Sequence, residues 1–371
     1  MRNTTKYLLP LFYIAFALLN SCSGDSSSNI SESDQNITLR LIDTLGVDNG
    51  EENYVFGNII DAVFLPDGRI ALLDVLMNRV SIFSSNGEFI ASFGTEGNGP
   101  GEFTEPVSIA VLSNDVLAVC DNMHRKVVFF DSEYVFIREI RGFEPLPPTS
   151  IENGVLDSFV GMQSHYFIES GVLNMGVRLG SWSQTVEPDV VYSAFYTVPT
   201  DNTAELYSVR FCTDSQGRVY TAPTSYEEYS VTCYSAEGDT LFQIAEPYNR
   251  TEKTQEEIEY EHMCYRFDTP GFDSEDKRAI ASRWEPDPYR LAIENISTDY
   301  ADRIWVQTGR SESNSPNFRV YDSNGNWLAS VETDLPIESL NYNFVFGRDR
   351  VLAFDTNPSD YSKIYILELA D

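Results

Sequence analysis

The stretch IIDAVFLPDGRIALLDVLMNRVSIFSSNGEFIASFG, residues 59–94, decides how the chain is read. It contains four runs rich in Val, Ile, Leu and Phe: Ile59–Leu65, Arg69–Asp74, Arg79–Phe83 and Glu88–Phe93. Each is too short for a helix and has the composition of a strand. Pro66-Asp67-Gly68 separates the first two runs, and Ser85-Asn86-Gly87 the last two. Both are turn sequences, because proline presets φ and glycine accepts positive φ without a Cβ clash. The stretch is predicted to be a four-stranded antiparallel meander. One such sheet cannot bury its own faces, so further copies must cover them.

A second copy follows the linker GTEGNGPGEFTEP (94–106): Val107–Leu112, Val116–Asp121, Lys126–Phe130 and Tyr134–Ile140. Asp74 stands five residues before Arg79, as Asp121 stands before Lys126. A charge-assisted hydrogen bond across each turn is the expected role of these pairs. A third unit is irregular, over about 155–198, with VVYSAFYTV (190–198) its clearest strand. A fourth spans 206–244, a fifth Leu291–Val331, and a sixth, with three evident strands, 344–369. Ile37–Leu45 is expected to supply the missing strand and close a ring, leaving no sheet edge open. The fold class is therefore all-β, a six-bladed β-propeller of four-stranded blades over residues 37–371. Residues 245–290 break the pattern and read as a helical insertion between blades four and five, with helices at 251–267 and 273–284. It would cover one face of the ring or act as a lid.

The chain has 371 residues and is 42% apolar and 13% aromatic, enough for one large core. Its formal net charge is −32, and lysine occurs only at 6, 126, 253, 277 and 363. Such a charge repels nucleic acid and anionic membrane surfaces. Arg2 and Lys6 precede an apolar run from Tyr7 to Leu19, which has the form of a secretory signal over residues 1–21. Leu19-Asn20-Ser21-Cys22 places a cysteine after an aliphatic and a small residue, and the polar tract 22–36 follows as a tether. Cys22 is the expected lipidation site. Cys120, Cys212, Cys233 and Cys264 fit no Cys-x-x-Cys motif; the first three lie in apolar strand contexts as buried thiols.

Asp…(Asn/His)…(Arg/Lys)-Val…Phe, a glycine turn and Phe-Gly together resemble the NHL repeat. FGTEGNGPGEFTEP (93–106) is similar to that family's linker, and Pro288 to Ile293 to its blade start after a helical insert. The whole chain resembles the six-bladed propeller lipoproteins of Bacteroidota. The resemblance implies a fold and a cell-envelope location, anchored in the outer membrane and facing periplasm or exterior. It implies no activity, since propellers host many functions.

Motifs for chemistry are sparse. Gly97-Asn98-Gly99-Pro100-Gly101 lacks phosphate-loop spacing and is followed by a strand, so these glycines turn the chain between blades. His124, His165 and His262 do not make a zinc site. No cofactor is expected; calcium at Asp355, Asn357 and Asp360 is the alternative. The long links fall on one face of the ring and the tight turns on the other. Binding is expected at the long links, through Met77, Asn78, Asn122, His124, Arg125, Tyr226, Arg310 and Tyr361. The first functional reading is a non-catalytic binding lipoprotein, a monomer, that engages a protein, peptide or glycan and touches the membrane only through its anchor. The alternative is a propeller hydrolase or lyase with a divalent metal in the central channel. The inner strands read as largely apolar, with Asp61 and Arg210 as exceptions, which favours the first reading. No residue is assigned a catalytic role.

Overall fold

The computed structural model describes residues 37–112, 115–169, 172–196, 209–259, 261, 287–310, 316–335, 342–356 and 361–370. The signal, Cys22, the tether, His262, Cys264 and the second expected helix lie outside them. Residues 59–94 form the meander β2 (Ile59–Phe64), β3 (Ile70–Asp74), β4 (Arg79–Phe83) and β5 (Phe89–Phe93). The next is β6 (Pro106–Val111), β7 (Leu117–Asp121), β8 (Lys126–Phe130) and β9 (Phe136–Arg141). Then come β10 (Ser150–Asn153), β11 (Phe159–Glu169), β12 (Val172–Trp182) and β13 (Val190–Tyr196). A further meander is β14 (Val209–Thr213), β15 (Val219–Pro223), β16 (Tyr229–Tyr234) and β17 (Thr240–Glu246). Each of these four is a separate four-stranded sheet.

The remaining strands are β18 (Asn295–Thr298), β19 (Ile304–Arg310), β20 (Pro316–Tyr321), β21 (Trp327–Thr333), β22 (Tyr342–Phe346), β23 (Val351–Asp355) and β24 (Ile364–Ala370). They share one eight-stranded sheet with β1 (Ile37–Leu45), in the order β18-β19-β20-β21-β1-β24-β23-β22. β1 runs antiparallel to β24, from Thr38 opposite Ala370 to Leu45 opposite Ile364. The first strand of the fold thus pairs with the last, as its extended pattern suggests. It also pairs parallel with β21, Ile37 opposite Val331, which the sequence did not indicate. The whole is an all-β propeller built from four-stranded blades.

The second and third strands of the first two meanders are buried nearly throughout, because each blade face packs on a neighbour. Ala71, Leu73, Val80 and Ile82 pack against Ile109, Leu117, Val119 and Val128 of the next sheet. That is why these strands read as continuous apolar runs rather than alternating ones. The outermost strands behave differently. β5, β9, β13, β17, β21 and β1 each show a register shift against the strand they pair with, at Ile82/Phe83, Phe129/Phe130, Leu179/Gly180, Cys233/Tyr234, Val320/Tyr321 and Leu41/Asp43. In β5, β9, β13 and β17, which end their sheets, such bulges twist the exposed edge away from further pairing, whereas β21 and β1 pair with each other.

One expectation changes, and one is seen only in part, since 260 and 262–286 lie outside the described residues. The unit over 150–196 is a regular four-stranded sheet whose two middle strands have 11 residues each. They run beyond the core, leaving Tyr166 and Ile168 exposed, so the apolar pattern fades along them. In the insertion, residues 255–259 are helical. Thr254 Oγ1 accepts from the Glu257 N–H, and Glu257 Oε2 accepts from the Thr254 N–H at 2.7 Å, a capping box. Arg290 then clamps Glu257 with Nε and Nη2 at 2.9 and 2.8 Å.

Candidate functional site

Strands β2, β6, β10, β14, β18 and β22 open each meander and surround a cavity of about 1240 Å³ along the axis. The turns Leu65–Gly68 and Gly347–Arg350 belong to its wall, so it reaches the end of the molecule that carries the tight turns. The six strands are in register. Their last residues are Phe64, Val111, Asn153, Thr213, Thr298 and Phe346. Three positions earlier stand Asp61, Ser108, Ser150, Arg210, Asn295 and Asn343, facing Leu73, Cys120, Met162, Ala222, Gln307 and Phe354 on the second strands. All six line the cavity. The next position is apolar in every strand: Ala62, Ile109, Ile151, Phe211, Ile296 and Phe344. The polar positions thus form a girdle around the channel, while Ala62, Ile109, Ile151, Ile296 and Phe344 turn into the cores between blades. The inner strands are not as uniformly apolar as the sequence reading held.

Part of the girdle is occupied in holding blades together. Asp61 Oδ2 accepts from Ser108 Oγ at 2.7 Å and from the Ile109 N–H at 2.9 Å, and Oδ1 from the Ala62 N–H at 2.9 Å. Ser108 Oγ accepts from the Ile151 N–H at 3.0 Å. Each side chain thus satisfies the inner edge of the next sheet. Asn295 Oδ1 accepts from the Ile296 N–H at 2.9 Å. Arg210 stands on the fourth of the six strands, opposite Asp61 on the first. Its Nε is buried with no partner, as is Asn153 Oδ1 at the cavity wall. Unsatisfied buried polar atoms are rare and call for a cause.

Burial pushes Asp61 up to about 6, against the opposing effect of its three hydrogen bonds. Glu152, two positions along β10 from Ser150, is pushed up to about 8, by burial first and by the Asp61 charge second. Its side chain is exposed to the lumen, so water there tempers the burial that raises it. Asp61 ionises first, and its charge then holds the proton on Glu152. Cys120, Cys212 and Cys233 are buried, unpaired thiols. Burial raises all three, Cys233 to about 11. Among the described residues, no three or more His, Cys, Asp or Glu side chains gather closely enough to hold an ion.

None of the eight residues expected to bind at the long links lines this cavity. Met77 and Asn78 lie on the β3–β4 link, and Asn122, His124 and Arg125 on the equivalent β7–β8 link. Tyr226 lies between β15 and β16, Arg310 ends β19, and Tyr361 precedes β24. The two links are built alike, but not by the expected ion pairs. Asp74 accepts from the N–H groups of Gly57, Asn58, Leu76 and Met77 at 2.7–3.2 Å. Asp121 accepts from those of Thr104 and Glu105, and lies 2.7 Å from His124 Nδ1. Arg79 Nη2 instead approaches the carbonyls of Glu52 and Val55. Lys126 is fully buried, 3.5 Å from Glu139, and burial lowers its pKa. A carboxylate at the end of the second strand is the nearest acceptor for the incoming linker's free N–H groups, which explains its place in the repeat.

Residues 51–144 match the model of family DUF5128, described as a 6-bladed beta-propeller. The match covers about a quarter of the chain. Among solved structures, a DUF4221 protein from Bacteroides vulgatus is similar at 12% identity, with 91% of this chain and 99% of that chain covered and a TM-score of 0.54. A candidate exported protein of Bacteroides fragilis is similar at 12% identity over 91% and 97%, TM-score 0.48. An inactive form of virginiamycin B lyase from Staphylococcus aureus, solved with quinupristin, is similar at 11% identity over 88% and 99%, TM-score 0.45. No curated protein matches. At these identities the likeness is one of fold.

Proposed function

We propose that this protein is a non-catalytic binding module of the cell envelope, a six-bladed propeller that seats a small polar ligand in its axial channel. The observation that carries the reading is the polar girdle of the 1240 Å³ lumen, with partnerless atoms on Arg210 and Asn153. A group left unpaired in such a place costs about 1–3 kcal/mol, which a bound polar ligand would recover. Six blades are supported by six in-register inner strands and six bulged outer strands, with β1 dividing the eight-stranded sheet. The envelope location rests on the signal-like N-terminus and Cys22, read as a lipid anchor of the outer membrane facing periplasm or exterior. A resident cation in the girdle is disfavoured by the Arg210 guanidinium and by the occupied Asp61 carboxylate.

A second reading is that a macromolecular partner docks on the long links. Leu76, Met77 and Met123 are exposed there at corresponding places of two successive blades, and Asn78 and Asn122 each hold a buried, unpartnered Oδ1. The test compares the detergent-solubilised full chain with Ser150→Trp, which fills the lumen, and with Met77→Asp/Met123→Asp. Thermal shifts are read against monosaccharides, amino acids and dipeptides. Stabilisation lost only in Ser150→Trp supports the channel. Stabilisation lost only in the methionine variant moves the site to the links. Chelator-sensitive turnover of a lactone or ester would replace both with an enzyme.

A further inference from the structure

The polar girdle has a direction. Asp61 and Arg210 occupy opposite members of a six-membered set, so they cannot neutralise one another across the lumen. Asp61 already accepts three hydrogen bonds, and Ser108 both donates and accepts. The β2–β6 side of the girdle is therefore closed upon itself. On the other side stand Ser150, Arg210 and Asn295, with Asn153 three positions beyond Ser150. There Arg210 Nε is buried without an acceptor, and Asn153 Oδ1, three positions nearer the tight-turn end, is buried without a donor. No ion pair among the described residues involves Arg210.

We infer that Arg210 receives the carboxylate of a small monocarboxylate ligand, with Ser150 and Asn153 of the neighbouring strand β10 meeting hydroxyl or amide groups beside it. This rests on the channel reading above and adds the chemical class. A planar guanidinium matches a carboxylate with two parallel hydrogen bonds, and its weak hydration makes it the cation best suited to an enclosed site. Asn153 supplies an acceptor where the ligand must offer a donor. A hydroxy acid such as a sugar acid meets both demands, and so does the end of a short peptide, whose amide N–H lies close to its terminal carboxylate. The net charge of −32 repels polyanions at long range, which restricts the ligand to one carboxylate. Phe211 beside Arg210 and Tyr300 beyond β18 also line the cavity and give its remaining body an apolar surface.

Calorimetric titration of the full chain in detergent uses two pairs of probes: D-glucuronate with D-glucose, and N-acetyl-Ala-Ala with its C-terminal amide. In one pair the charged probe should bind at least about 10-fold tighter than the neutral one. In Arg210→Gln that preference should vanish, the usual result of removing one partner of a desolvated charge pair. Arg210→Lys should keep part of it, which separates a lost contact from a misfolded chain. The pair that responds identifies the source of the carboxylate. Equal binding of charged and neutral probes, abolished in Ser150→Trp, overturns the carboxylate assignment and leaves the channel reading standing. A preference that survives Arg210→Gln overturns it as well. No binding by any of the four probes overturns both.

Discussion

Replacing Asp74 by alanine removes the acceptor of four backbone N–H groups in one step. Two of them, from Gly57 and Asn58 at 2.7 and 3.0 Å, belong to the linker that delivers the chain into β2. The other two, from Leu76 and Met77 at 3.2 and 3.1 Å, hold the β3–β4 link. Leu76 and Met77 are 68% and 45% exposed, so water can take over at that link. The linker side is less accessible, and Asp74 itself is 1% exposed. Counting about 1–3 kcal/mol for each of the two stranded donors on the linker side and little on the other gives a loss of about 2–6 kcal/mol. Urea unfolding of Asp74→Ala measures it. Asp74→Asn keeps one carbonyl acceptor and should lose about half as much. Arg79 is not a partner in this geometry, so a double-mutant cycle of Asp74→Ala with Arg79→Ala should show coupling below about 0.5 kcal/mol. A cost under about 1 kcal/mol for Asp74→Ala, or coupling above about 1 kcal/mol, refutes the reasoning.

The channel carboxyls set a pH signature. Both are raised in the folded state, so the native protein binds more protons than the unfolded chain, and stability falls as pH rises from the ordinary carboxylate range through about 6 for Asp61 and about 8 for Glu152. The charged or titratable neighbours of Glu152 are Asp61 on β2 and Cys212 on β14. Glu152→Gln should flatten the stability profile between about pH 5 and 8, read as thermal midpoints across that range; an unchanged slope counts against the pairing. Gly94→Ala should cost about 2–4 kcal/mol by urea unfolding, because its φ is +88° and a Cβ there would lie 2.1 Å from the Phe103 ring. A loss below about 1 kcal/mol would show that the ring moves aside freely. Leu39→Ala, at a fully buried position of β1, should cost about 2–5 kcal/mol in the same assay. A negligible effect would mean that β1 is dispensable to the sheet.

The blades were legible where their turns were. Pro66-Asp67-Gly68, Ser85-Asn86-Gly87 and the two-sided burial of β3 and β7 left apolar runs of definite length, and the strands fall within a residue or two of the reading. The meander over 150–196 was obscured because β11 and β12 outrun the core and carry Gln163, His165 and Arg178 within them. The parallel pairing of β1 with β21 leaves no local trace, being a contact between Ile37 and Val331. The girdle has no local signature in the sequence. Ser108, Asn295 and Asn343 are unremarkable singly, and only counting back from the end of each inner strand aligns them with Asp61 and Arg210. The Asp74 and Asp121 positions were noticed, but spacing along the chain pointed to the following basic residue. The acceptors are in fact turned toward the linkers, 16 and 17 residues earlier.

The pairing of β1 between β21 and β24 also orders events in time. Residues 37–45 are made early, yet their hydrogen-bonded neighbours lie about 300 residues further on. Until the final strand has been synthesised and has reached the same side of any membrane it crosses, β1 has no place to go, and β21 and β24 present bare edges to their surroundings. Contacts so distant in sequence form slowly, because a very long loop must close before they bring any gain. The ring is therefore sealed last, by the segment made first. The interval before sealing is when this chain is most open to pairing with another copy of itself.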